Sequence, residues 1–88
     1  MAASETLALY HYPSCGYCRW VRQVIAQLGI DVELRDIFEE RQHMDELVAA
    51  RGRRTVPVLR RDLADGTVDW MPESRDIIDY LQRTYGRE

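Results

Sequence analysis

Lysine is absent from this 88-residue chain: all twelve basic residues are arginine. Chemistry that depends on a lysine amine is therefore excluded. Long apolar runs are absent too. None approaches the roughly 18 residues that a membrane-spanning helix needs, and no membrane association is expected. Positive charge is not in excess, because fifteen acidic residues outweigh the basic ones and leave a net charge of −3. Such a balance lacks the electrostatic footprint of a nucleic-acid binder. Cysteine is scarce. Only Cys15 and Cys18 occur, whereas a secreted disulfide scaffold of this size carries four or more. The segment Met1–Glu5 has no basic residue, so no secretory leader is expected. A lone Cys-x-x-Cys without a leader points to a reducing compartment, and the expected location is the cytoplasm.

What is present is ordinary globular composition, 45% hydrophobic and 31% charged, which supports one domain over residues 1–88 with its core within about 6–85. Thr6–Tyr10 is a short apolar run suited to a buried strand. From Tyr17 to Leu28, Trp20, Val21, Val24, Ile25 and Leu28 recur at spacings of three and four, one face of a helix that Gly29 would close. Asp31–Asp36 alternates as a second strand, with Ile30, Val32 and Leu34 on one side. Glu39–Arg51 reads as a helix with Met44, Leu47 and Val48 inward, Gly52 at its end and acids near its start, where the helix dipole favours them. Val56–Leu59 begins a third strand. Pro57 has no N–H and belongs at that strand's start or edge. Asp65-Gly66 turns the chain into Thr67–Trp70, and Ser74 is the expected N-cap of a last helix with Ile77, Ile78 and Leu81 inward. The order β-α-β-α-β-β-α predicts an α/β fold with a mixed four-stranded sheet flanked by helices, since the first two strands must run parallel and the last two form a hairpin.

Ser14-Cys15-Gly16-Tyr17-Cys18 falls between the first strand and the first helix. Cys15 is thus expected at the helix N-terminus, where unpaired N–H groups and the dipole favour an ionised sulfur. Cys18, one turn later, lies on the same side but deeper. Cys15 is the expected nucleophile, and Cys18 a resolving thiol or a spectator. A zinc site is the competing reading, with His11 and His43 as the available nitrogen ligands. Structural zinc sites carry a second tight ligand pair, and this chain has none. Thr55-Val56-Pro57 is the other informative segment. A cis bond before Pro57 would leave the Val56 backbone free to pair with an extended peptide, and a trans proline on an edge strand is the alternative.

Tyr10-x-x-x-x-Cys15-Gly16-Tyr17-Cys18 after a first strand, followed about forty residues later by Thr55-Val56-Pro57 before a hairpin, resembles the glutaredoxins of the thioredoxin fold. The segment Met71-Pro72-Glu73-Ser74 is similar to the helix start of glutathione transferase N-terminal domains and of glutaredoxins built like transferases. The resemblance implies a glutathione-dependent thiol-disulfide oxidoreductase, acting as a monomer on glutathionylated and disulfide-containing proteins with glutathione as reductant. It implies that Cys15 and Cys18 are catalytic. Tyr17, Thr55, Val56, Pro57, Glu73 and Ser74 would bind glutathione, with the Val56 backbone on its cysteine residue and Glu73 and Ser74 on its γ-glutamyl end. Many glutaredoxins carry Lys three residues before the first cysteine; here Tyr12 stands there, leaving Arg41, Arg53 or Arg54 to supply the charge. Gly16 in place of the commoner proline also resembles members that hold a [2Fe–2S] cluster between two subunits through the first cysteine, here Cys15. This is the alternative reading, a cluster carrier or sensor.

Overall fold

The computed structural model describes residues 5–86. Strand β1 (Glu5–His11) is buried on both faces, with Leu7 and Leu9 toward one side of the sheet and Ala8 and Tyr10 toward the other. A strand covered on both sides must be central. β1 accordingly pairs in parallel with β2 (Glu33–Asp36) and antiparallel with β3 (Val58–Leu63), which pairs antiparallel with β4 (Val68–Pro72). The sheet order is β2-β1-β3-β4.

Helices α1 (Gly16–Leu28) and α3 (Ser74–Tyr85) cover one face, where Leu7, Leu9 and Leu59 meet Val21, Ile25, Ile77 and Leu81. Helix α2 (Arg41–Arg51) covers the other, where Tyr10, Ile37, Leu47 and Val58 form a second cluster. Two covered faces on a mixed four-stranded sheet are what the element order predicts, and the arrangement is the thioredoxin-like one that the resemblance implies. Helices α1 and α2 end at Gly29 (φ 66°) and Gly52 (φ 73°), left-handed positions that a side chain would strain.

Several local expectations need correction. Trp20 is 42% exposed and lies outside the core. At about 100° per residue, position 20 falls beyond the arc marked by the buried Cys18, Val21, Val24 and Ile25. β2 is an edge strand of four residues; Leu34 on it is 48% exposed, and Ile30 and Val32 pack on the core from the preceding loop. α2 starts at Arg41, not Glu39, because the Asp36 carboxylate accepts the N–H groups of Phe38 (2.9 Å) and Glu39 (3.1 Å) and holds those residues in a turn. Its first turn therefore carries no acid, and Val48 faces solvent. In α3, Ser74 is the first helical residue and Glu73 occupies the cap position.

Glu5 ties β1 to β3 and to α3. Its carboxylate accepts from Arg61 Nε at 2.8 Å and from the hydroxyls of Tyr80 and Tyr85. Arg61 also lies over the Tyr80 ring, 4.5 Å from its centre.

Candidate active site

Cys15 caps α1. Its backbone is extended (φ −80°, ψ 117°), its N–H donates to the Tyr12 carbonyl at 3.1 Å, and its Sγ accepts the Cys18 N–H at 3.3 Å. Gly16 is the first helical residue, and a Cβ there would meet nothing within 4 Å outside its two chain neighbours, so no close approach requires glycine at this position. Both cysteines are free thiols. They differ in access. Cys15 is more deeply set than its expected nucleophilic role suggests, with 9% of its surface exposed, and Cys18 is fully covered. Burial pushes the Cys18 thiol up to about 12, and its hydrogen bond to the Cys15 sulfur adds to the effect. Cys18 is thus a proton-bearing donor toward Cys15 at neutral pH. The arrangement provides one reachable sulfur at a helix N-terminus, supported by an amide and a thiol.

Beside this turn lies a cleft of about 190 Å³. Tyr17 forms part of its wall, Thr55, Val56, Pro57 and Val58 another, and Pro72, Glu73 and Ser74 a third. All six residues singled out from the sequence outside the thiol pair, namely Tyr17, Thr55, Val56, Pro57, Glu73 and Ser74, therefore line one cavity. The Val56–Pro57 peptide bond is cis, which resolves the alternative left open by the sequence. Glu73 has φ 72° and ψ 110°, and it is the one non-glycine residue with positive φ among those described. Such backbone costs about 1–3 kcal/mol and persists where the surroundings over-determine it, most often at functional sites. Its carboxylate caps none of the helix N–H groups.

Of the three arginines considered as substitutes for the missing lysine, only Arg53 reaches the cleft. Arg41 and Arg54 line a different hollow with Phe38 and Val48. Arg51 joins Arg53 at the cleft. It was missed because a basic residue in the last turn of a helix is already accounted for by the dipole. Its Nε is buried without a hydrogen-bond partner. Tyr12 packs on Phe38, ring centres 5.1 Å apart, and lines no part of the cleft.

Neither metal alternative gains support from this geometry. Among the described residues, no group of three or more His, Cys, Asp or Glu side chains is placed to hold a metal ion. His11 is buried, and burial together with the Arg22 charge lowers its pKa; His43 lies against Tyr10 on the α2 side. A [2Fe–2S] cluster needs four sulfurs. One chain offers a single reachable one, Cys15, so a cluster would require a second subunit and two further thiols.

A family model described as the glutathione S-transferase N-terminal domain matches residues 9–88. Among curated proteins, glutaredoxin 2 of Escherichia coli is 30% identical over 81 residues, which is 92% of this chain and 35% of that protein. Among solved structures, maleylacetoacetate isomerase from Anaeromyxobacter dehalogenans, with glutathione bound in its active site, superposes with a TM-score of 0.71 at 28% identity. The match covers 94% of this chain and 39% of that one. A glutathione transferase from Bombyx mori gives 0.71 at 26% identity, covering 100% and 40%. The chain thus spans little more than a third of the curated relatives it matches. With the match running through both the thiol turn and the cleft, the chain belongs to the glutathione S-transferase N-terminal domain family.

Proposed function

We propose that the chain is a glutathione-dependent thiol-disulfide oxidoreductase. The observation that carries this reading is the capping sulfur of Cys15, which accepts the Cys18 N–H beside a cleft lined by Thr55-Val56-cis-Pro57 and Glu73-Ser74. The glutathione bound by the isomerase relative and the name of the glutaredoxin relative support it.

The Cys15 thiolate attacks the glutathione sulfur of a mixed disulfide. A Cys15–glutathione disulfide forms, and the substrate sulfur leaves as a thiolate and takes a proton. A second glutathione thiolate then attacks the glutathione sulfur, releasing oxidised glutathione and restoring Cys15. On a protein disulfide, Cys15 forms a mixed disulfide with the substrate; Cys18 gives up its proton and displaces the substrate thiol, and two glutathiones reduce the resulting Cys15–Cys18 disulfide. A Cys18 thiol pushed up to about 12 is almost wholly protonated at pH 7. The first route does not use it as a nucleophile.

In the cleft, the Val56 backbone would pair with the cysteine residue of the tripeptide. Ser74, at the N-terminus of α3, would receive the γ-glutamyl carboxylate, and Glu73 the ammonium beside it. Arg51 and Arg53 would take the glycine carboxylate. The test is turnover of a glutathione mixed disulfide set against conjugation of glutathione to an aryl halide. Disulfide turnover is expected. A chain that conjugates the halide and leaves disulfides untouched is a transferase, and the proposal fails.

A further inference from the structure

Arg22 follows Cys18 by four positions in α1 and lies on the same side of the helix, one turn further on. Its Nη2 donates to the Pro13 carbonyl at 3.4 Å, so the side chain folds back toward the loop that leads into Cys15. That is the usual direction for a long helical side chain, which leans over the preceding turn. Its Nε is shut off from solvent and has no hydrogen-bond partner. The preceding turn is where Cys18 sits. The Cys18 sulfur is fully covered, and the Tyr12 backbone, next to Pro13, lies against it. A guanidinium held on Pro13 is therefore held beside this thiol.

The other groups that face the pair do not offset that charge. The Cys15 sulfur accepts the Cys18 N–H. His11, at the end of β1, is buried, and burial together with the Arg22 charge keeps it neutral at pH 7. Asp36, opposite His11 in the sheet, accepts the N–H groups of Phe38 and Glu39 with its carboxylate. Arg22 thus places a cation behind Cys18, and its charge pulls the thiol down against the burial that pushes it up.

Resting on the oxidoreductase reading, we infer that Arg22 is a positioning residue for the second thiol: it holds the Pro13 loop against α1 and stabilises the negative charge that Cys18 carries when it resolves a mixed disulfide on Cys15. In that step the Cys18 thiolate attacks Cys15 Sγ, and the Cys15–Cys18 bond forms. The bond from Cys15 to the substrate sulfur breaks, and that sulfur leaves as a thiolate. The proton that Cys18 gave up balances the one the departing thiolate takes up. In the glutathione route Cys18 stays a protonated donor, so a cation behind it has no charge to stabilise. Arg22 therefore serves the protein-disulfide route selectively.

The test starts from protein glutathionylated on Cys15 with oxidised glutathione and purified in acid. On return to neutral pH, release of glutathione needs Cys18 and no added reductant. Its rate is divided by the turnover of a small glutathione mixed disulfide by the same variant. For each pKa unit by which loss of the charge raises the thiol, about tenfold less thiolate is offset roughly threefold by the greater nucleophilicity of a more basic sulfur. Arg22→Met should therefore lower the ratio by about threefold or more, and Arg22→Gln should do the same. Arg22→Lys, which keeps the charge, should restore most of it. Arg19→Met, which removes an exposed charge from the same helix, should leave the ratio at its wild-type value. A ratio unchanged in Arg22→Met and Arg22→Gln, an equal fall in Arg19→Met, or no rescue by Arg22→Lys overturns the inference and leaves the oxidoreductase reading intact. So does wild-type protein that turns over the mixed disulfide yet releases no glutathione. Wild-type protein that turns over no mixed disulfide overturns that reading and this inference with it.

Discussion

The Cys18 N–H donates to the Sγ of Cys15 at 3.3 Å, so the buried cysteine of the pair holds the reachable one in place. The two sulfurs should therefore respond differently to an alkylating agent. With its thiol pushed up to about 12, Cys18 stays protonated and covered at pH 8. Iodoacetamide should add once to the native protein, at Cys15, and a second adduct should appear only after unfolding. Intact mass followed by peptide mapping reads this directly. Two adducts at native pH, or one on Cys18, would contradict the assignment.

Arg51 bears on affinity. Its Nε is buried and unpartnered at the wall of the cleft, and a hydrogen bond to a charged group is worth about 1.5–3 kcal/mol. Arg51→Ala should raise the KM for glutathione about tenfold with little change in kcat. Arg54→Ala, in a separate hollow, should leave KM where it was. Equal effects from both variants would show that general positive charge, and not position at the cleft, sets the affinity.

Glu73 separates folding from binding. Its positive φ costs about 1–3 kcal/mol, and glycine adopts such backbone freely at a cost of about 0.5–1 kcal/mol in the unfolded chain. Glu73→Gly should therefore unfold at the same or a higher temperature. The same variant should bind glutathione about tenfold more weakly, which is about 1.4 kcal/mol. A residue that served only the fold would show the reverse pattern.

Glu5 predicts the acid response. Burial alone would raise its pKa, but hydrogen bonds from Tyr80, Tyr85 and Arg61 outweigh it and hold the carboxyl below its usual 4.5. A carboxyl lowered in the folded state contributes stability that is present above about pH 4.5 and is lost as the pH falls through the lower folded value. Glu5→Ala, which leaves Arg61 without one partner, should cost about 3 kcal/mol at pH 7. The gap between variant and wild type should narrow below pH 4.5. Urea titrations across that range measure it, and a gap independent of pH would contradict the ionised cluster.

The fold was readable because its signals are local and redundant. Leu7 and Leu9 alternate with Ala8 and Tyr10, the α1 stripe repeats at three and four, and Gly29 and Gly52 mark helix ends. The cleft was readable because Thr55-Val56-Pro57 and Glu73-Ser74 are short contiguous motifs. What escaped depended on tertiary geometry. Arg51, Arg53 and Arg54 are near neighbours in sequence, yet the turn after α2 sends the first two to the cleft and the third to another face. Trp20 fits the helical spacing and still faces outward, because the buried arc of α1 centres on Val21 and Ile25. The shift of the α2 start to Arg41 follows from the Asp36 side-chain turn, which competes with helix formation.

The most direct measurement is turnover of a small glutathione mixed disulfide by the wild-type protein, Cys15→Ser and Cys18→Ser, with glutathione as reductant. Cys15→Ser should fall to the uncatalysed rate, and Cys18→Ser should retain most of the activity, since its thiol is a supporting donor and not the attacking group. Activity that survives loss of Cys15, or that vanishes only with Cys18, would contradict the account.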